Sequence, residues 1–227
     1  MSSPYIVKSF SEARQANSEA IAHVVSSLMN TLGQVDEEFT RWDDLQTGKS
    51  IHVGDIAQMS KIVERARHRR DIGKAIIEEL GFHPTFVTLG RGDNMVSLSV
   101  VCGSHSGMSR LENSCELKFD ANSVVGSRLI ENEKLREIFA LIIDLFEAQV
   151  GIVRPEAASS LGVQTGWLTY VRAEPGAVPV LPSPVYKEPF AGGTLIALFD
   201  ERFEQSNPAH IQIGQHVKSI LVGAGLV

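Results

Sequence analysis

Two cysteines and a histidine are the residues of this sequence whose types and spacing could first suggest chemistry. Cys102, His105 and Cys115 are close in the chain, so a thiolate and an imidazole could form a nucleophilic pair, or all three could hold zinc. Zinc sites usually contain closely spaced ligand pairs, and the sequence has no Cys-x-x-Cys or His-x-x-x-His. Both cysteines fit the apolar side of strand-like runs. If those strands pair, a disulfide could form, but we predict two buried, reduced thiols.

Two further motifs fall short of a catalytic pattern. Residues 103–107 read Gly-Ser-His-Ser-Gly, in which His105 occupies the place where a nucleophile loop needs serine. Residues 47–50 read Thr-Gly-Lys-Ser, like the end of a phosphate-binding loop, but Asp43 stands where the first glycine is required. The residues alone therefore predict no catalytic site, no metal site and no cofactor.

An acidic and aromatic segment, residues 36–44, is the most unusual local composition. It holds the carboxylates and rings of Asp36, Glu37, Glu38, Phe39, Trp42, Asp43 and Asp44. Such carboxylates could bind a divalent ion, or they could form a contact surface for a basic partner. The two rings could anchor that contact, or they could seal the end of the preceding helix against the core.

The composition is that of an ordinary globular protein. Hydrophobic residues make up 43% and charged residues 21%, and the formal net charge is −6, which argues against direct nucleic-acid binding. The start of the chain lacks the pattern of a signal peptide, and the apolar run at 139–146 is short and contains Asp144. We therefore expect a soluble, cytoplasmic protein with no membrane contact.

Apolar periodicity predicts both helices and strands along the chain. Helical spacing covers residues 11–32, 55–67, 72–80 and 132–150, and Asn207-Pro208 is a typical helix start. Strand-like patterns cover residues 5–10, 95–102, 115–119, 166–171 and 194–199, and a further strand-like run precedes the turn predicted at residues 90–94. The run at 115–119 is expected to pair antiparallel with 95–102. Residues 173–189 contain five prolines and are predicted to be an irregular surface excursion. The fold class predicted is α+β, a largely antiparallel sheet with helices packed on it, as one domain over residues 1–227.

Several phrases, in their order and spacing, resemble a known family. They are Phe39-Thr40-Arg41-Trp42, Arg69-Arg70-Asp71, Leu80-Gly81-Phe82, Ser97-Leu98-Ser99 with Cys102-Gly103, and Gly166-Trp167-Leu168-Thr169-Tyr170. This set resembles the immunity protein 52 family. The resemblance implies a cytoplasmic antidote of bacterial polymorphic-toxin or type VI secretion systems, a binding protein and not an enzyme, whose partner is a toxin of the restriction-endonuclease-like nuclease class.

The resemblance gives the acidic segment a role. A nuclease binds a polyanion through a basic cleft, so carboxylates placed where phosphates would lie can occupy or flank that cleft. The predicted contact residues are Asp36, Glu37, Glu38, Asp43 and Asp44, with Trp42 and Phe39 as anchors. The excursion at 173–189 or the basic residues 65–70 could instead be the contact surface. Two alternative functions remain. One is a small enzyme that uses Cys102 and His105 or a carboxylate-bound metal, and the other is a structural adaptor of a secretion system.

Overall fold

The strands of this chain pair with neighbours that are often distant in the sequence. In the computed structural model, which describes residues 4–90, 92–158, 161 and 164–227, ten strands form one sheet in the order β3-β2-β4-β5-β6-β1-β7-β8-β10-β9. Each neighbouring pair is antiparallel. The strands are β1 Pro4–Glu12, β2 Trp42–Asp44, β3 Lys49–Ile51, β4 Thr85–Thr88, β5 Ser97–Val101, β6 Leu111–Asp120, β7 Val150–Pro155, β8 Leu168–Val171, β9 Tyr186–Phe190 and β10 Gly193–Ala197.

Five α-helices in the described part of the chain accompany the sheet, and this antiparallel sheet with its helices confirms the predicted α+β class. The helices are α1 Ser18–Val35, α2 Ile56–Arg65, α3 Val124–Leu129, α4 Asn132–Leu145 and α5 Pro208–Gly223. Helix α1 packs against α2 and α4, and α4 packs on β1 and β7. Gly151 permits that approach, since a Cβ there would lie 2.8 Å from Cε2 of Phe139. None of these helices, within the part of the chain that the structure describes, combines the length and apolar composition needed to cross a bilayer.

The predicted pairing of the two cysteine-bearing runs is confirmed. Strand β5 lies antiparallel to β6 with Leu98 opposite Leu117 and Val100 opposite Cys115. The alternation is also as expected, because Val96, Leu98 and Val100 are buried while the intervening serines are only partly covered. Both cysteines are free thiols, but only Cys115 of the two is buried; Cys102 is partly exposed, which corrects the prediction of two buried thiols.

Several predicted boundaries are corrected by neighbouring elements. The first helix begins at Ser18 and not at Ser11, because β1 extends to Glu12, and the Asn17 side chain then caps the helix by accepting from the Ala20 N–H at 2.8 Å. It continues through Gly33 to Val35. The helix expected over 132–150 ends at Leu145, after which β7 starts.

The helix predicted over residues 72–80 is wrong. Only Glu78–Leu80 is helical, as a single 3-10 turn, and Ile72 and Ile76 are 91% and 40% exposed, so the apolar spacing has no core to face. Gly73 and Lys74 have φ values of +77° and +53°, which interrupt a right-handed helix. Gly81 permits a close backbone approach, because a Cβ there would lie 2.3 Å from the Cys102 carbonyl oxygen.

The proline-rich segment 173–189 is irregular only in its first part. Its last residues belong to β9, Tyr186–Phe190, which pairs with β10 and contains Pro189. Because β9 is at the edge of the sheet, a residue without an N–H is tolerated there. The short elements β2, β3 and α3 and the strand β7 were not predicted.

Candidate functional site

The acidic segment 36–44 connects α1 to one end of the sheet. It forms a 3-10 turn, Glu37–Thr40, followed by strand β2. Asp36 caps this turn, since its Oδ1 accepts the Glu38 N–H at 3.0 Å. The same carboxylate also contacts Arg128 of α3 and Lys134 of α4, so a charged side chain lies where α1, α3 and α4 meet the 3-10 turn.

Asp36 is a buried ion-pair centre. Its side chain is 2% exposed and receives Nε and Nη2 of Arg128 at 2.8 and 2.7 Å and Nζ of Lys134 at 2.8 Å. Burial alone would raise the pKa of this carboxyl, but the hydrogen bonds from Arg128, Lys134 and the Glu38 N–H outweigh burial and lower the pKa to about 2. Asp36 therefore holds the fold together in this conformation and is not free to meet a partner.

Asp44 is similarly occupied within the chain. Its side chain is 4% exposed and contacts the Arg65 guanidinium and the Thr47 hydroxyl, while its Oδ1 accepts the Gln46 N–H at 3.2 Å. The contact joins β2 to the end of α2. This carboxylate therefore positions the sheet edge.

Phe39 and Trp42 lie in the core. Their rings stack with centroids 5.8 Å apart, they are 0% and 1% exposed, and Trp42 Nε1 donates to the Phe39 carbonyl at 2.8 Å. Of the two roles open for these rings, sealing the end of the first helix matches their burial. A partner could reach them only if the segment rearranged.

The carboxylates left at the surface are Glu37, Glu38 and Asp43. The Glu37 side chain is 87% exposed, Glu38 is partly exposed, and partly exposed Asp43 accepts from the Ser50 hydroxyl at 2.8 Å. Glu38 lies beside the turn after β4, because a Cβ on Gly90 would be 3.1 Å from its Oε1. The structure thus divides the seven predicted residues into four buried and three accessible ones.

Exposed apolar side chains border the turn that follows β4. Their pattern in the sequence did not single them out as contact residues. Leu89 and Met95 are 45% and 43% exposed on either side of this turn, and Val124, 73% exposed, begins helix α3, which contacts the turn. The strand alternation contained this signal, since Met95 has the outward phase of Ser97 and Ser99. We call Glu37, Glu38, Leu89, Met95 and Val124 the acidic patch.

The cysteine and histidine candidates are not brought together for catalysis. Burial raises the pKa of the Cys102 thiol to about 12 and that of Cys115 well above its usual value, so neither is a ready thiolate. His105 Nδ1 is 2.9 Å from the Gly103 carbonyl oxygen. Within the described ranges, no group of three or more His, Cys, Asp or Glu side chains could hold a metal ion.

The loop 103–109 is shaped by a single carboxylate. Glu112 accepts from the Ser104 hydroxyl at 2.9 Å and from the Ser106 N–H at 2.6 Å. These bonds, with one from the Ser109 N–H, outweigh the effect of desolvation and lower the Glu112 pKa to about 2. The serines that resembled a nucleophile loop are therefore structural partners of Glu112.

Comparisons with known proteins agree with the resemblance. A fold similar to this one occurs in the Pseudomonas aeruginosa T6SS protein PA0821, with a TM-score of 0.53 and 11% sequence identity over 96% of this chain and 72% of that one. At this identity the likeness concerns the fold alone. A search of curated proteins found no match. The family described as Immunity protein 52 matches residues 3–227, nearly the whole chain. The chain therefore belongs to the immunity protein 52 family.

Proposed function

We propose that this chain binds and neutralises a bacterial toxin delivered by a type VI secretion system, and that residues 1–227 act as one immunity domain in the cytoplasm. The observation that carries the proposal is the family match over nearly the whole chain. The fold shared with a T6SS protein supports the secretion system named here. The role is one of binding, in keeping with thiols that burial keeps protonated.

The proposed partner is a nuclease of the restriction-endonuclease-like class. Such a toxin needs a basic cleft for its polyanionic substrate, and the formal charge of −6 on this chain favours association with a basic surface. Glu37, Glu38 and Asp43 are the accessible carboxylates of the segment, whereas Asp36, Asp44, Phe39 and Trp42 support them from within the fold.

The acidic patch supplies both parts of a protein contact. Its carboxylates speed encounter with a basic partner and fix the orientation of docking. Its apolar side chains Leu89, Met95 and Val124 provide surface that a partner can bury, which is the main source of affinity. These three residues take the anchoring role that the sequence assigned to Trp42 and Phe39.

Co-expression tests the neutralising role directly. Cells producing the toxin encoded beside this chain should grow when the wild-type chain is present. The double change Glu37→Lys and Glu38→Lys should weaken binding to a catalytically disabled form of that toxin by at least about tenfold and reduce the salt dependence of the affinity. Cells that die equally with and without the wild-type chain would refute the neutralising role.

A matched control separates the acidic patch from net charge. Glu201→Lys with Glu204→Lys makes the same change in charge at exposed positions near the start of α5 and should leave affinity and salt dependence close to wild type. Equal weakening by both double variants would show that only overall charge matters, and would overturn the patch as the contact site.

A further inference from the structure

A hairpin-like excursion, residues 67–77, projects from the fold where the sequence predicted a helix. Antiparallel bridges pair Arg67 with Phe82 and Arg69 with Ile76, and the Arg70 N–H donates to the Ala75 carbonyl at 2.8 Å. The tip turns through Gly73 and Lys74, both with positive φ. We call residues 67–77 the basic arm.

The arm presents an apolar tip to solvent. Every residue from 69 to 76 is exposed, and Ile72 is 91% exposed. A Cβ on Gly73 would meet nothing within 4 Å, so the tip stands clear of the rest of the chain. Burying this isoleucine side chain against a partner would remove apolar surface from water, which contributes favourably to the free energy of binding. The arm therefore offers a partner an anchor that the protein itself does not use.

The charge of the arm is opposite to that of the whole chain. Arg67, Arg69, Arg70 and Lys74 against Asp71 give the arm a net charge of 4 − 1 = +3, whereas the chain carries −6. Arg67 is paired with Glu64, whereas Arg69, among the residues that the structure describes, donates to the Lys74 carbonyl at 3.4 Å and to no carboxylate. The partner surface that complements such an arm is acidic, with room for one aliphatic side chain.

A cleft at the base of the arm extends the basic surface. Its volume is about 490 Å³, and Arg65, Arg67, Arg69 and His83 are among its lining residues. Its single lining carboxylate in the described residues, Asp44, is already paired with Arg65. Arg67 is likewise paired with Glu64, so among the described lining residues the cleft offers a partner carboxylate the guanidinium of Arg69, which also belongs to the arm.

The arm and the acidic patch lie at opposite ends of the same strand. The chain runs from the arm into β4 at Thr85 and leaves β4 at Thr88 toward Leu89. Three steps along a strand span about 10 Å, so the length of β4 separates the base of the arm from the turn beside the acidic patch, and one partner could contact both surfaces. A metal-dependent nuclease has both complementary charges: cations that track phosphates, and carboxylates that bind its metal ions.

We propose that the basic arm is the second contact of this protein with its toxin, docking in an acidic cleft where Ile72 fills an apolar pocket. Arg69, Arg70 and Lys74 pair with carboxylates of that cleft. This proposal rests on the neutralising function above and adds the site and the chemistry of a second contact. The acidic patch and the arm then contact two oppositely charged parts of one toxin.

Binding of the catalytically disabled toxin encoded beside this chain, followed by calorimetry, tests the arm. Ile72→Ser should raise Kd about ten- to a hundredfold, the range expected when one buried isoleucine is lost. Val222→Ser is the matched control, because Val222 is 54% exposed on α5, outside every contact surface proposed for this protein, and it should leave Kd unchanged. Ile72→Ser with wild-type Kd would overturn the proposal.

Charge reversal tests the acidic cleft independently of the apolar anchor. Arg69→Glu, Arg70→Glu and Lys74→Glu combined should weaken binding by more than about a hundredfold. The same net change made by Arg110→Glu, Arg172→Glu and Lys218→Glu should strengthen binding or leave it unchanged if the overall partner surface is basic. Equal loss in both triple variants would overturn the arm as a specific contact.

Proteolysis gives a readout that needs no substitution. Trypsin should cleave the free protein first after Arg69, Arg70 or Lys74, because these residues are exposed on a projecting turn. Saturating toxin should slow that cleavage at least about tenfold. If the wild-type chain rescues cells but toxin does not slow cleavage at the arm, the arm contact is refuted and the neutralising function stands. If the wild-type chain does not rescue cells, both the neutralising function and the arm contact are refuted.

Discussion

Replacing Asp36 by asparagine tests whether the ion-pair centre between α1, α3 and α4 stabilises the fold. The change keeps the shape of the side chain but removes the charge that Arg128 and Lys134 approach at 2.7–2.8 Å. The new amide group would also direct a donor at one of those cations. We expect the free energy of unfolding to fall while the arrangement of the elements is kept.

The magnitude follows from the displaced pKa. Lowering the carboxyl from its ordinary 3.8 to about 2 corresponds to roughly 2.5 kcal/mol. Arg128 and Lys134 are 33% and 34% exposed, so water screens part of this attraction. We therefore expect a loss of about 1–2 kcal/mol at pH 7, and a decrease in Tm of roughly 2–8 °C for a chain of this size.

The dependence on pH has a definite sign. The folded-state pKa is below the unfolded one, so the unfolded chain takes up the proton first as the pH falls. The stability that Asp36 contributes is fully present above about pH 4–5 and is lost as the pH falls through about 2. The difference in unfolding free energy between wild type and Asp36→Asn should therefore be constant from pH 7 to 5 and smaller at pH 3.

Urea unfolding at several pH values measures this difference, and Asp43→Asn is the matched control. Asp43 has the same chemistry in the same segment but is only partly covered and contacts the Ser50 hydroxyl. Its replacement should change stability by less than about 0.5 kcal/mol. The reasoning fails if Asp36→Asn costs no more than Asp43→Asn, or if the difference from wild type does not shrink between pH 5 and pH 3.

Three further predictions concern the core and the thiols. Gly81→Ala should destabilise the protein by about 2 kcal/mol or more, and by more than Gly73→Ala, because both glycines have positive φ but a Cβ would collide with backbone at Gly81 and meet nothing at Gly73; equal thermal shifts would contradict this. Trp42→Ala should cost about 3–5 kcal/mol, measured by denaturant unfolding, because the ring is fully buried, and a loss under 1 kcal/mol would contradict its core position. At pH 8 a thiol reagent should leave Cys102 unmodified in the folded protein and react with both cysteines after unfolding; rapid native reaction would contradict a pKa near 12.

The sequence predicted those elements whose pattern is long and whose burial is one-sided. The alternation around Leu98 and Leu117 predicted two strands and their pairing, and the capping pair Asn207-Pro208 predicted the start of α5. The three-residue strands β2 and β3 are too short to show a period. The helix predicted over residues 72–80 is wrong although the apolar residues have helical spacing, because the left-handed turn at Gly73 and Lys74 leaves Ile72 in solvent.

By itself the sequence determined the α+β class, the family and the acidic composition of residues 36–44, because these depend on residue type and order along the chain. Only the tertiary structure decided which acidic and aromatic residues are accessible. Asp36 and Asp44 are buried because cations from α2, α3 and α4 reach them, and Phe39 and Trp42 are buried because α1 and the sheet edge close over them. Ion pairing and packing join residues that are distant in the sequence, and local patterns carry no information about those distances.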